Sequence, residues 1–284
     1  MDAMPSLFPD YKYFELVAPR KHARRDALLN LRSTCLMDVA KAFFNNIART
    51  DSFSWFPAHV AAKALRKPGE EDEDDDDARR LRIGVPFINE MLRHELGANQ
   101  SMQNILFSIV IESWTAFETL AADLWAVALD EGLPEWRKRG GVRYDKPRFC
   151  DSEPLNEIDF AAVADPQENY GSFLRDTEKL SFQKLPKIIE AYRVVFRKKS
   201  EELFQKEDRY IFALSAVRNV IVHKAGVADR KYVAAVKQFS ELNSIAKDKP
   251  IHLDGDIVRK LKNAAINVGN GLLSFVDQRL ESNT

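Results

Sequence analysis

The chain has 284 residues, enough for one large domain or two modest ones with an ample core. Its formal net charge of −1 excludes a global field steering it toward nucleic acid or a membrane, so any basic surface must be local. A hydrophobic share of 45% beside 30% charged residues fits a soluble globular protein. The two cysteines, Cys35 and Cys150, lie far apart without metal-ligand spacing, which fits a reducing cytoplasm better than a disulfide framework. The first residues, MDAMPSLFPDYKYFELV, lack the basic and apolar regions of a secretory leader.

Helical periodicity runs through nearly every long segment, and no alternating run marks a sheet. Residues 24–50 carry Leu28, Leu29, Leu36, Val39 and Phe43 on one amphipathic face. A turn and a shorter helix are predicted over the following DSFSWFPAHVAAKALRK. An acidic loop, 69–78, comes next, in which the eight carboxylates from Glu70 to Asp77 repel one another and cannot join a core.

The helix predicted over 101–131 has one stripe of Leu106, Val110, Phe117, Leu120 and Leu124, and Ile105, Ile109, Trp114 and Trp125 extend its apolar surface. Such a helix sits inside a bundle or at a subunit interface. Glu112, Glu118 and Asp123 within it argue against a membrane span. From 132 to 169 the helical signal lapses into a long insert, first rich in cations and aromatics, then acidic. Helix returns over 171–200 and 201–225. Gly226 and Asp229 are stop and restart signals, and Asp254 or Asp256 can cap a final helix whose stripe is Ile257, Leu261, Val268, Leu272 and Phe275. These segments predict an all-α protein. Residues 101–284 form a four-helix bundle with the 132–169 insert, and residues 1–100 form an accessory helical region.

The stretch SAVRNVIVHKAG, 215–226, places polar groups in an otherwise apolar helix. Arg218 stays cationic and offers planar donors to a phosphorane-like transition state. His223 brings an imidazole, which as a residue type can take a proton from a ribose 2′-hydroxyl or give one to a leaving 5′-oxygen. Asn219 can orient the imidazole or hold a phosphate oxygen. Five residues of helix separate Arg218 from His223 by roughly 140°, so their convergence calls for a fraying last turn before Gly226. The plainer reading is a surface arginine and a histidine closing a helix C-terminus, where the dipole favours its cation.

RNVIVH, 218–223, followed by KAG, resembles the R-x-x-x-x-H signature of the HEPN superfamily. The likeness extends through helix order over about 101–284, with the doubly apolar IESWTAFETLAADLW and the long last helix, and leaves residues 1–100 outside. The resemblance implies an HEPN-like bundle and a metal-independent endoribonuclease, of the kind found in prokaryotic toxin–antitoxin and anti-phage systems. It implies a homodimer in which two motifs share one cleft, with Arg218, Asn219 and His223 as the catalytic candidates. It implies no cofactor, no metal and no membrane, RNA as substrate, a cytoplasmic setting, and room for a regulatory or antitoxin protein. Other members of the superfamily bind RNA, nucleotide or protein without cleaving, which gives the alternative reading. A helical scaffold carrying the motif by coincidence is the third.

A basic and aromatic cluster in the insert, Arg137, Lys138, Arg139, Arg143, Tyr144 and Arg148, is the candidate RNA contact, with cations on phosphates and the ring on a base. A solvated loop explains the same residues. His22, His59, His94 and His252 are scattered singly and make no catalytic set. The chain has no G-x-x-x-x-G-K-[ST], H-E-x-x-H or C-x-x-C pattern, which excludes the common ATPase, zincin and redox readings.

Overall fold

The computed structural model describes residues 31–65, 80–138, 170–175, 182–196, 202–204 and 207–281. The fold is all-α. Among the described residues there is no strand, only an isolated antiparallel bridge between Val227 and Pro250. The helices are α1 (Met37–Ala64), α2 (Val85–His94), α3 (Leu96–Lys138), α4 (Tyr170–Arg175), α5 (Leu185–Phe196), α6 (Tyr210–Lys224), α7 (Arg230–Val236) and α8 (Gly255–Glu281). A 3₁₀ turn, Thr34–Leu36, precedes α1, and a π-helical turn, Arg80–Gly84, precedes α2.

Two helices run further than their sequences suggest. α1 passes straight through Pro57, where a turn is expected, although a proline removes one helical hydrogen bond. Its buried positions, Ala40, Phe43, Ile47, Thr50, Ser54, Ala58 and Ala61, recur every three or four residues on both sides of the proline. Burial of that face outweighs the lost bond. The hydroxyls of Thr50 and Ser54 fold back on the carbonyls of Ile47 and Asp51, each at 2.7 Å, so polar groups on the buried face are satisfied. α3 likewise continues past Gly132 and Pro134 to Lys138, taking in the first residues of the expected insert. The acidic loop 69–78 and residues 139–169 of the insert lie outside the described residues.

The chain forms two compact units. The described part of the first comes from Asn45–Trp114 and Tyr210–Ala265, and it holds the R-x-x-x-x-H motif. Within it, Gly84 lies so close to α1 that a Cβ there would stand 1.9 Å from the Ala58 carbonyl oxygen. Lys262, nearly buried, ion-pairs with Asp51. Asp229 caps α7 by accepting the Tyr232 N–H at 2.8 Å, and Asp254 caps α8 by accepting that of Ile257 at 2.8 Å.

The described part of the second unit comes from within residues 31–44, 115–209 and 266–281. There α3 and α5 exchange side-chain bonds to backbone: the Trp125 indole donates to the Ala191 carbonyl at 3.0 Å and the Tyr192 hydroxyl to that of Ala121 at 2.8 Å. Asp123, on the same helix, ion-pairs with Arg175 at 2.7 Å, which supplies the cation its half-buried carboxylate requires. Leu120, Leu124, Val268 and Leu272 are fully or almost fully buried here, as their stripes predict.

Candidate functional site

α6 changes character along its length. Ile211, Ala213, Leu214, Ser215 and Val217 are all buried, so the first two turns are enclosed on nearly every side. From Arg218 onward the helix opens. Arg218 and Asn219 are half-buried, Val220 is still anchored in the core, and Val222, His223 and Lys224 are exposed. The apolar first half fixes the axis rigidly, and the polar second half is thereby presented to solvent.

Arg218 reaches its neighbour: its Nη1 donates to the Asn219 Oδ1 at 3.3 Å. Its Nε is buried and has no hydrogen-bond partner among the described residues. An arginine held with donors unspent is a ready binder of a planar or tetrahedral oxyanion. His223 is exposed and hydrogen-bonds to no described residue. Asn219 and His223 are one helical turn apart and share a face, while Arg218 is turned away from His223 by roughly 140°. The helix stays regular through Lys224, so no fraying last turn brings Arg218 and His223 together, and no hydrogen bond joins them.

The backbone is unusual just beyond α6. Ala225 and Gly226 both take positive φ, 49° and 77°. Asp248, at 64°, is the other non-glycine residue with positive φ among the described residues. The two lie in segments tied to each other. Ala228 donates to the Lys249 carbonyl at 2.9 Å, Asp248 to that of Ala228 at 2.8 Å, and Ile251 to that of Gly226 at 2.8 Å. Gly226 is required twice over, since a Cβ there would also stand 3.1 Å from the Phe107 ring. Gln103 of α3 clamps the far end of the segment: its Nε2 donates to the Leu253 carbonyl at 2.6 Å and its Oε1 accepts the Leu253 N–H at 3.1 Å. Ile251 and Leu253 are buried, so His252 between them faces solvent.

The candidate RNA-contact residues of the insert are not brought to this site by anything described. Arg137 and Lys138 fall on the last turn of α3 instead of in a loop, and Arg139, Arg143, Tyr144 and Arg148 lie outside the described residues. The residues that the structure does bring to the end of α6 are Lys249 and His252. Nothing local in the sequence links them to His223, because the link is a backbone pairing made across more than twenty residues. Positive φ at Asp248 and the alternation of exposed and buried residues over 250–253 are its local traces.

Among the described residues no three His, Cys, Asp or Glu are grouped so as to hold a metal ion. One described helix segment, Leu96–Glu131, is apolar and long enough to cross a membrane by length and composition, and half of its most apolar window is buried inside the protein. Comparison with protein-family models, with curated proteins and with solved structures finds no match.

Proposed function

We propose that this chain is a metal-independent endoribonuclease of the HEPN type, a cytoplasmic enzyme of toxin or anti-phage systems that works as a homodimer. The observation that supports it most is the open end of α6, which presents Arg218, Asn219 and His223 after two enclosed turns. In the reaction, His223 takes the proton of a ribose 2′-hydroxyl as that oxygen attacks the adjacent phosphorus. The 5′-oxygen leaves with a proton from water, to which His223 then returns the proton it took, and the products are a 2′,3′-cyclic phosphate and a 5′-hydroxyl. Arg218 holds the non-bridging oxygens as charge builds on them, and Asn219 fixes the position of Arg218 through their shared hydrogen bond. The wide angle between Arg218 and His223 on one helix gives the dimer a chemical purpose. A second copy of the motif across the cleft supplies the missing partner for each. An HEPN-like four-helix bundle over 101–284 is the architecture this reading entails.

The alternative is a non-catalytic HEPN module that binds RNA, nucleotide or a partner such as an antitoxin. One feature favours it specifically: no described residue orients the His223 imidazole, as a general base ordinarily requires. Incubating wild type and His223→Ala with total RNA in EDTA, and identifying the new ends, decides between them. Cyclic phosphate ends from the wild type only support the ribonuclease. RNA left intact by a wild type that still binds it rejects catalysis and leaves the binding module.

A further inference from the structure

We infer that Lys224, Lys249 and His252 form a built phosphate-binding rim beside His223, which grips the single-stranded RNA backbone flanking the scissile phosphate. This rests on the ribonuclease reading and adds to it a binding surface that the R-x-x-x-x-H motif does not contain.

Charge is the first support. Over 223–231 and 247–252 the chain carries five permanent cations, Lys224, Arg230, Lys231, Lys247 and Lys249, against two carboxylates, in a protein whose net charge is −1. The stretch therefore keeps a local excess of positive charge. Asp229 is engaged by the α7 backbone, and Asp248 pairs with Lys247 at 3.0 Å. Lys224 and Lys249 are exposed and form no ion pair with any described residue. Elsewhere the described lysines and arginines of this unit often pair: Arg49 with Glu112, Arg93 with Glu90, Lys260 with Glu241 and Asp256.

Backbone construction is the second support, and it is independent of charge. The antiparallel pairing of Val227 with Pro250 sets His252 across from Ala225, two residues beyond His223, and sets Lys249 beside Ala228. Two non-glycine residues in left-handed conformation each cost roughly 1–2 kcal/mol, and they persist here because the Gln103 clamp and the three backbone bonds over-determine them. Strain held in this way fixes a loop in one position. A fixed backbone offers its cations without the loop-ordering cost that a mobile segment incurs. Lys224 and Lys249 are borne by separate segments that the backbone pairing holds together, so one anionic strand can meet both.

The test uses the full chain in the His223→Ala background, so that RNA is not consumed, and a fluorescein-labelled unstructured single-stranded RNA of about twenty nucleotides. Binding is followed by anisotropy across a salt series, for this protein and for the same protein with Lys224→Ala and Lys249→Ala. Losing two phosphate contacts should weaken binding on the order of tenfold near 0.1 M salt and flatten the slope of log K against log salt by about 1.4. The paired change Lys224→Arg and Lys249→Arg should restore both. Equal affinity and slope in the alanine protein would overturn the rim. Cleavage of RNA by otherwise wild-type protein carrying the two alanines, at the wild-type rate at subsaturating RNA, would overturn it while leaving the ribonuclease reading intact. If wild type neither cuts nor binds RNA, both fall, and a protein partner becomes the occupant to seek.

Discussion

Around Glu241 and Lys260, charges in this protein are spent on one another. Glu241 accepts from Lys260 at 2.8 Å, from the Tyr210 hydroxyl at 3.0 Å and from Ser240 at 3.0 Å, and Lys260 also reaches Asp256 at 2.7 Å, which in turn holds Arg259. The Lys260 ammonium, helped by the Glu241 backbone, pulls the Glu241 carboxyl down to about 2. At the other end of α6 the opposite holds. Arg218 keeps a buried Nε without a partner, and His223, Lys224 and Lys249 meet no described counter-charge. Tyr210 opens α6 in the saturated cluster, and His223 all but closes it in the unsaturated one. A fold that neutralises charge at one end of a helix and leaves it standing at the other separates two duties: the first cluster ties elements together, and the second is the end proposed to meet an anion.

If that division holds, substitutions at the enclosed end should cost stability and those at the open end should not. Leu214→Ala, at a fully buried position, should lower unfolding free energy by about 2–5 kcal/mol in a denaturant titration, whereas Val222→Ala, at an exposed one, should change it by less than about 0.5 kcal/mol. Comparable losses at the two sites would break the comparison. Gln103→Ala should cost about 1–3 kcal/mol, because it strands the buried Leu253 N–H and carbonyl. The same change should raise amide exchange over 247–253 more than over α8, and a uniform rise would mean that the clamp is not what holds that segment.

Lys260→Ala should cost less than about 1 kcal/mol near neutrality, since the pair is partly exposed. Its sharper signature is in acid. A carboxyl depressed from 4.5 to about 2 in the folded state stabilises the protein above 4.5, and that contribution is lost as pH falls from there toward 2. Wild type should therefore lose stability through that window, and Lys260→Ala should show a shallower course. Parallel acid titrations of the two would remove Glu241 from the account.

Much of this arrangement is legible in the sequence because it is local. The apolar stripes of α3 and α8 and the capping roles of Asp229 and Asp254 come from spacings of three and four residues. Two breakers mislead. Pro57 and Pro134 announce helix ends, but in α1 a buried face continues across the proline and outweighs one missing hydrogen bond. The motif residues can be named from 218–223 alone, yet not their relation, since a regular helix keeps Arg218 and His223 on different faces. Lys249 and His252 are beyond the reach of sequence for a different reason. They arrive beside α6 through pairings of Gly226 with Ile251 and Gln103 with Leu253, and separations of 25 and 150 residues leave no periodic trace.

Whether the open end of α6 cuts RNA, as proposed, is decided by single-turnover cleavage of a defined single-stranded RNA in EDTA. Wild type, Arg218→Ala and His223→Ala are compared, with thermal melting of each as the control for folding. A ribonuclease of this kind should give cyclic phosphate ends from wild type, a rate about 10²–10⁴ lower for His223→Ala, a large loss for Arg218→Ala, and unchanged melting for both variants. Equal cleavage by wild type and His223→Ala, or none by a wild type that binds the RNA, would contradict it.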